Sequence, residues 1–246
     1  MLKNKDCIMR IAVITYEARG SYSASSVADE DLVLEKILNE LDLNFKFEIW
    51  SDKNVNWENY SLILLKSPWD YFDRYTEFLD WCRHIKDLGI PVYNSIDTVV
   101  WNSDKRYLKE IQEKGYPIVP TEFIEKSTLP DVESIFRLFN TENLVLKPTV
   151  SGGAKNTMKL SKATWNEKKE SILSLIRKED FMLQPYVKEV AEVGEYSYLF
   201  FNGKYSHAIL KTAKSGDFRV QHFFWRKHQK YRAQRSSIAI PSKPSE

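Results

Sequence analysis

The chain has 246 residues, 43% hydrophobic and 28% charged, which suits a globular protein of one large domain or two to three small ones. No apolar run approaches the roughly 18–20 residues of a membrane span, Met1 to Asp6 lack the apolar stretch of a signal peptide, and two cysteines make no disulfide framework, so the expected compartment is the reducing cytosol (cytoplasmic). The formal net charge of +2 hides an asymmetry: residues 222–246 carry six Lys/Arg and one acid, while the other 221 carry 30 basic and 33 acidic side chains, a net of −3, so the body has no basic footprint for nucleic acid.

In chain order, Ile11 to Tyr16 is a short apolar run that reads as a buried strand. Asp29 to Leu41 places Leu32, Val33, Ile37, Leu38 and Leu41 at helical spacing. Phe45 to Trp50 and Tyr60 to Leu65 read as strands, Tyr75 to Leu88 as a helix closed by Gly89, and Pro91 to Asn94 as a short strand. This β-α-β-β-α-β order predicts an open α/β sheet over residues 1–95. Ser103 to Lys114 then reads as a helix with Ser103 as its N-cap and Gly115 after its end. Pro117 to Ile124 is a predicted strand, Val132 to Phe139 a helix and Leu144 to Lys147 a strand. Thr157 to Leu160 should return antiparallel to the last of these. Trp165 to Arg177 reads as a helix, Phe181 to Val187 as a strand, and Tyr196 to Ala213 as a hairpin turning at Asn202-Gly203.

Several short motifs carry chemistry. Lys147 follows three apolar residues and precedes Pro148, where it suits a phosphate contact or, equally, a strand-end lysine in water. Ser151-Gly152-Gly153 suits either an anion-cradling backbone or a plain turn, and no Walker A pattern occurs. Gln184-Pro185-Tyr186-Val187 ends a strand and fits either a hinge for an adenine edge or a simple stop. Glu195 suits a ribose hydroxyl or solvent. Lys211 and Arg219 suit an activated phosphate or an exposed strand.

Their order and spacing bring a family into view. From about Ile11 to Gln221 the chain resembles ATP-grasp ligases of the glutathione synthetase and ribosomal S6 modification type, and within them the cycloserine-ligase-like subgroup. The motifs are Ser67-Pro-Trp-Asp-Tyr71, Trp101-Asn-Ser-Asp-Lys-Arg-Tyr-Leu108, Val145-Leu-Lys-Pro-Thr-Val-Ser-Gly-Gly153, Leu183-Gln-Pro-Tyr186, Gly194-Glu-Tyr-Ser197 and Gly216-Asp-Phe-Arg-Val-Gln221. The resemblance implies an α/β fold: an open-sheet preATP-grasp domain at 1–95, an ATP-grasp first lobe at 96–180, and the start of a second, incomplete lobe at 181–221. It implies that Lys105 and Lys147 grip the phosphates of ATP beneath the Ser151, Gly152 and Gly153 loop. Residues Gln184 to Val187 would hold adenine, Glu195 the ribose, and Lys211 and Arg219 the γ-phosphate and acyl phosphate. Pro68 to Tyr71 would face the substrate. The implied activity is ATP-dependent activation of a small carboxylate as an acyl phosphate for attack by an amine, with Mg²⁺ bridging the phosphates.

The family's metal-binding acids would follow Gln221, and none do; a basic stretch of 222–246 stands there instead. One choice of codons for Trp225 to Ser237, read one base later, gives a Gly-Gly loop followed by Glu-Pro, so a frameshifted and prematurely ended ligase is the expectation. From about Phe224 onward the chain should contribute nothing to the core, and turnover should be impaired. The competing reading is a non-catalytic nucleotide-binding or regulatory protein, and a weaker one is a basic-tailed interaction module.

Overall fold

The computed structural model describes residues 9–17, 25–213 and 225–231. The chain divides into two compact units, one running to Ile118 and taking in Thr149–Gly152, the other made of Val119–Pro148 and the chain from Gly153 on.

The first unit is built on a parallel sheet in the order β2-β1-β3-β4, with β1 Ile11–Thr15, β2 Phe45–Ile49, β3 Leu62–Leu65 and β4 Val92–Tyr93. Strand β1 is flanked on both edges and covered on both faces. Hence it reads as an unbroken apolar run rather than an alternation. Helix α1 (Ser25–Glu40) lays Leu34 and Leu38 against Ile11 and Val13. Helix α2 (Tyr75–Asp87) buries Phe78, Trp81, Cys82 and Ile85 at helical spacing on the other face. There Trp50 meets the Phe78 ring edge-on, with centroids 5.4 Å apart.

The expected helix from Ser103 is corrected. Helix α3 (Ile96–Ser103) is capped by Ser95, whose hydroxyl accepts from Thr98 N–H at 3.3 Å. Ser103 ends this helix: its hydroxyl donates to the Val100 carbonyl at 2.7 Å and lies 2.9 Å from the Tyr75 hydroxyl. A second helix, α4 (Tyr107–Glu113), starts after a break at extended Asp104. Burial of Ile96 in the core draws a segment with no predicted element into a helix. Residues 96–118 group with the first unit.

The second unit holds two antiparallel sheets. One has the order β5-β8-β6-β7, from β5 Glu122–Ile124, β6 Asn143–Pro148, β7 Met158–Ser161 and β8 Phe181–Pro185. Helices α5 (Val132–Leu138) and α6 (Trp165–Ile176) cover one face, packing Phe136, Trp165, Ile172 and Ile176 on Leu144, Leu146, Leu160, Phe181 and Leu183. A short helix α7 (Lys188–Glu192) follows β8.

The other sheet has the order β11-β10-β9, with β9 Glu195–Phe201, β10 Lys204–Ala213 and β11 Trp225–Tyr231. Asn202 and Gly203, both at positive φ, make the expected hairpin turn. Beyond Phe224 the described residues are Trp225–Tyr231, and they form the edge strand β11. Residues Trp225–Tyr231 pair antiparallel with β10, from Ala213↔Trp225 to Ala208↔Tyr231. A strand's backbone groups need partners whatever its side chains, so a basic segment without apolar periodicity still completes an edge. Among the described residues no helix is long and apolar enough to cross a membrane.

Candidate functional site

Strand β6 alternates strictly: Leu144 and Leu146 enter the core and Pro148 is buried on the same face, while Asn143, Val145 and Lys147 take the opposite face. Register places Val145 opposite Gln184 and Lys147 opposite Met182, so Lys147 and Gln184 share that face. Lys147 is half-buried. Desolvation pulls its ammonium pKa below the ordinary lysine value, and the nearby Glu195 carboxylate partly offsets the pull.

Glu195 is itself paired. It stands directly across from Lys211 on β10, with Nζ and Oε1 3.2 Å apart. Lys147, Glu195 and Lys211 thus form a cation–anion–cation set within the second unit. The approach of β9 to β10 depends on Gly194. Its φ is +124°, and a Cβ there would lie 2.6 Å from the Lys211 carbonyl oxygen.

The hinge after β8 is narrower than its motif suggests. The Gln184 side chain, 8% exposed, donates its amide to the Thr121 hydroxyl at 2.7 Å. Pro185 has no N–H, and the Tyr186 N–H donates to the Asn143 carbonyl at 2.9 Å. That leaves Val187, in extended conformation at φ −89° and ψ 102°, whose N–H has no acceptor among the described residues. The Lys159 ammonium sits 3.8 Å from the centroid of the Tyr186 ring.

In the first unit Lys105 is held by the segment expected to cover phosphate. Its backbone N–H donates to the Thr149 carbonyl at 2.9 Å, and its ammonium reaches the Thr149 and Ser151 carbonyls at 3.2 and 3.0 Å. Gly152 admits a close neighbour, but that neighbour is the Phe72 ring: a Cβ on Gly152 would fall 2.4 Å from it. Gly153 begins the part of the loop that belongs to the second unit. Of the four residues expected to face substrate, Asp70 turns inward. Its carboxylate accepts from the Trp50 indole N–H at 2.6 Å, and burial raises its pKa. Trp69 stays 43% exposed.

Sequence reasoning missed Phe72, Thr121 and the steric demand at Gly194, because each acts through a contact distant along the chain. Arg219 lies outside the described residues. The expected Mg²⁺ would need clustered oxygen ligands. Among the described residues no three His, Cys, Asp or Glu side chains are grouped to hold a metal.

Comparison with known proteins is consistent with this frame. Residues 11–94 match the family described as D-cycloserine synthetase DcsG, N-terminal domain. The solved structure of D-cycloserine synthetase DcsG superposes with a TM-score of 0.78 at 24% identity, covering 93% of this chain and 76% of that one. The D-alanine–D-alanine ligase of Bacillus anthracis, complexed with ATP, superposes with a TM-score of 0.59 at 15% identity, covering 92% and 72%. The fold is that of the ATP-grasp ligases. Within that class the chain is similar to the cycloserine biosynthesis protein DcsG of Streptomyces lavendulae, 29% identical over 170 residues. That match takes in 67% of this chain and spans 56% of the Streptomyces protein.

Proposed function

We propose that the protein binds ATP and activates a small carboxylate as an acyl phosphate for attack by an amine. The observation that carries the reading is Lys147: a half-buried ammonium at the end of β6, kept beside the Glu195–Lys211 pair despite the desolvation it suffers. A buried cation that costs stability fits a site that must meet an anion.

In this reading the Val187 N–H donates to the adenine edge, and Glu195 accepts from a ribose hydroxyl. Lys147 neutralises phosphate oxygens, with Gly153 in the covering loop. A carboxylate oxygen of the substrate attacks the γ-phosphorus, and the bond to the β,γ-bridging oxygen breaks to release ADP. Lys211 and Arg219 then face the acyl phosphate. An amine attacks its carbonyl carbon, inorganic phosphate leaves with the C–O electron pair, and the amine loses a proton. Mg²⁺ would supply charge neutralisation at the phosphates, but no three His, Cys, Asp or Glu side chains to hold it are grouped among the described residues. The names of the similar proteins, a cycloserine synthetase and D-alanine–D-alanine ligases, favour amino-acid-derived carboxylate and amine substrates.

The test is calorimetric titration with ATP, followed by ADP release measured with D-serine or D-alanine and a free amine, with and without Mg²⁺. Nucleotide binding with amine-dependent ADP release supports the ligase. Binding without release supports a non-catalytic nucleotide-binding protein, and no binding removes both readings.

A further inference from the structure

The first unit contains a polar cavity of about 290 Å³ that shares no residue with the nucleotide machinery. Its walls include Arg10, Lys46, Glu48, Asp52, Asn59 and Tyr60. The backbone beneath it is fixed, since the Arg10 carbonyl accepts from Ser61 N–H at 2.8 Å and the next residue, Ile11, donates to Asn44.

Most charges in the cavity are already matched. Glu48, 7% exposed, accepts from the Tyr60 hydroxyl and from the Lys46 ammonium at 2.8 Å. Burial and that carboxylate push the Tyr60 hydroxyl up to about 12, so it remains a donor. Asp52 takes the backbone N–H and the side-chain amide of Asn54, both at 2.9 Å.

Arg10 is different. Its guanidinium lies 4.9 Å from the centroid of the Tyr60 ring, yet none of its N–H donors meets an acceptor among the described residues. The five donors of this half-buried guanidinium are therefore available to an external acceptor. Packed on an aromatic ring, it is restrained as a planar fork, the geometry that matches two oxygens of a carboxylate or phosphate. Asn56 accepts from Glu58 N–H through its side-chain oxygen at 3.1 Å, which leaves its two amide donors at the same cavity.

We propose that this cavity is a binding site for the oxyanion group, carboxylate or phosphate, of a small metabolite, with the Arg10 fork as anchor and the amides of Asn56 and Asn59 as flanking donors. The inference does not depend on the ligase reading.

The full chain is titrated with sodium phosphate and, separately, sodium acetate, against sodium chloride at matched ionic strength. The Arg10 Nε–H and the side-chain amides of Asn56 and Asn59 are followed by NMR. We expect saturable shifts confined to these groups and a dissociation constant raised about tenfold or more by Arg10→Gln, as for loss of a charge-assisted pair. Saturation by phosphate alone identifies a phosphate site, by acetate alone a carboxylate site. Arg10→Lys keeps the charge without the fork and should weaken binding to an intermediate degree. It replaces Arg10→Gln if that variant loses the Ile11 and Ser61 amide signals of the folded unit. Shifts that match chloride, fail to saturate, or persist unchanged in the Arg10 variants overturn the proposal.

Discussion

Replacing Lys147 with methionine separates a ligand-binding lysine from a structural one, because the two roles predict opposite responses. Methionine keeps the unbranched stem and removes the charge. In the folded chain that charge is desolvated, and Glu195 only partly compensates. Glu195 retains Lys211, at 3.2 Å, so the substitution strands no carboxylate. Removing the charge should therefore leave stability unchanged or raise it. The sign follows from linkage. The folded-state pKa of Lys147 is depressed, so its cost is fully present below the folded pKa and relieved as pH rises through that value towards the unfolded one. The gain from Lys147→Met should accordingly be largest at neutral pH and shrink in alkali. Nucleotide affinity should move the other way. A hydrogen bond to a charged group contributes roughly 1.5–3 kcal/mol, which corresponds to a loss of about 10- to 150-fold in dissociation constant. Calorimetric titration with ATP reads the affinity, and urea unfolding at neutral and alkaline pH reads the stability. Unchanged affinity would refute the assigned site. Weaker binding accompanied by lower stability would show that Lys147 acts by packing.

Three further outcomes can be checked. Gly194→Ala places a Cβ 2.6 Å from the Lys211 carbonyl oxygen at a φ of +124°, so it should destabilise the second unit by about 1–3 kcal/mol in urea unfolding and also weaken ATP binding. Val187→Pro removes the one hinge N–H without an acceptor among the described residues. At φ −89° the ring is tolerated, so ATP affinity should fall about 2- to 12-fold with little change in melting temperature. Cys82 is fully buried, and its thiol is pushed up to about 12, so a colourimetric thiol reagent at pH 8 should modify it only once the chain is unfolded.

Much of this protein was legible in its residues because the signals were local. The apolar run at Ile11 to Thr15, the helical spacing of Phe78, Trp81, Cys82 and Ile85, and the Asn202-Gly203 turn each act over one element. The motif order around Lys147, Gln184 and Glu195 identified the fold class for the same reason: strand, loop and hinge chemistry is written in consecutive residues. The tertiary structure decided what depends on partners distant in sequence. It made Ile96–Ser103 a helix by giving Ile96 a core to enter. It turned Asp70 inward to Trp50, tied Lys105 to the Thr149 and Ser151 carbonyls, and committed Tyr186 to Asn143, leaving Val187 as the hinge donor. It also drew a basic segment into the sheet as β11, since β10 offered unpaired backbone groups that composition cannot reveal. A side chain's identity sets what it can bond, but burial and the neighbour across the fold set whether that capacity is already used.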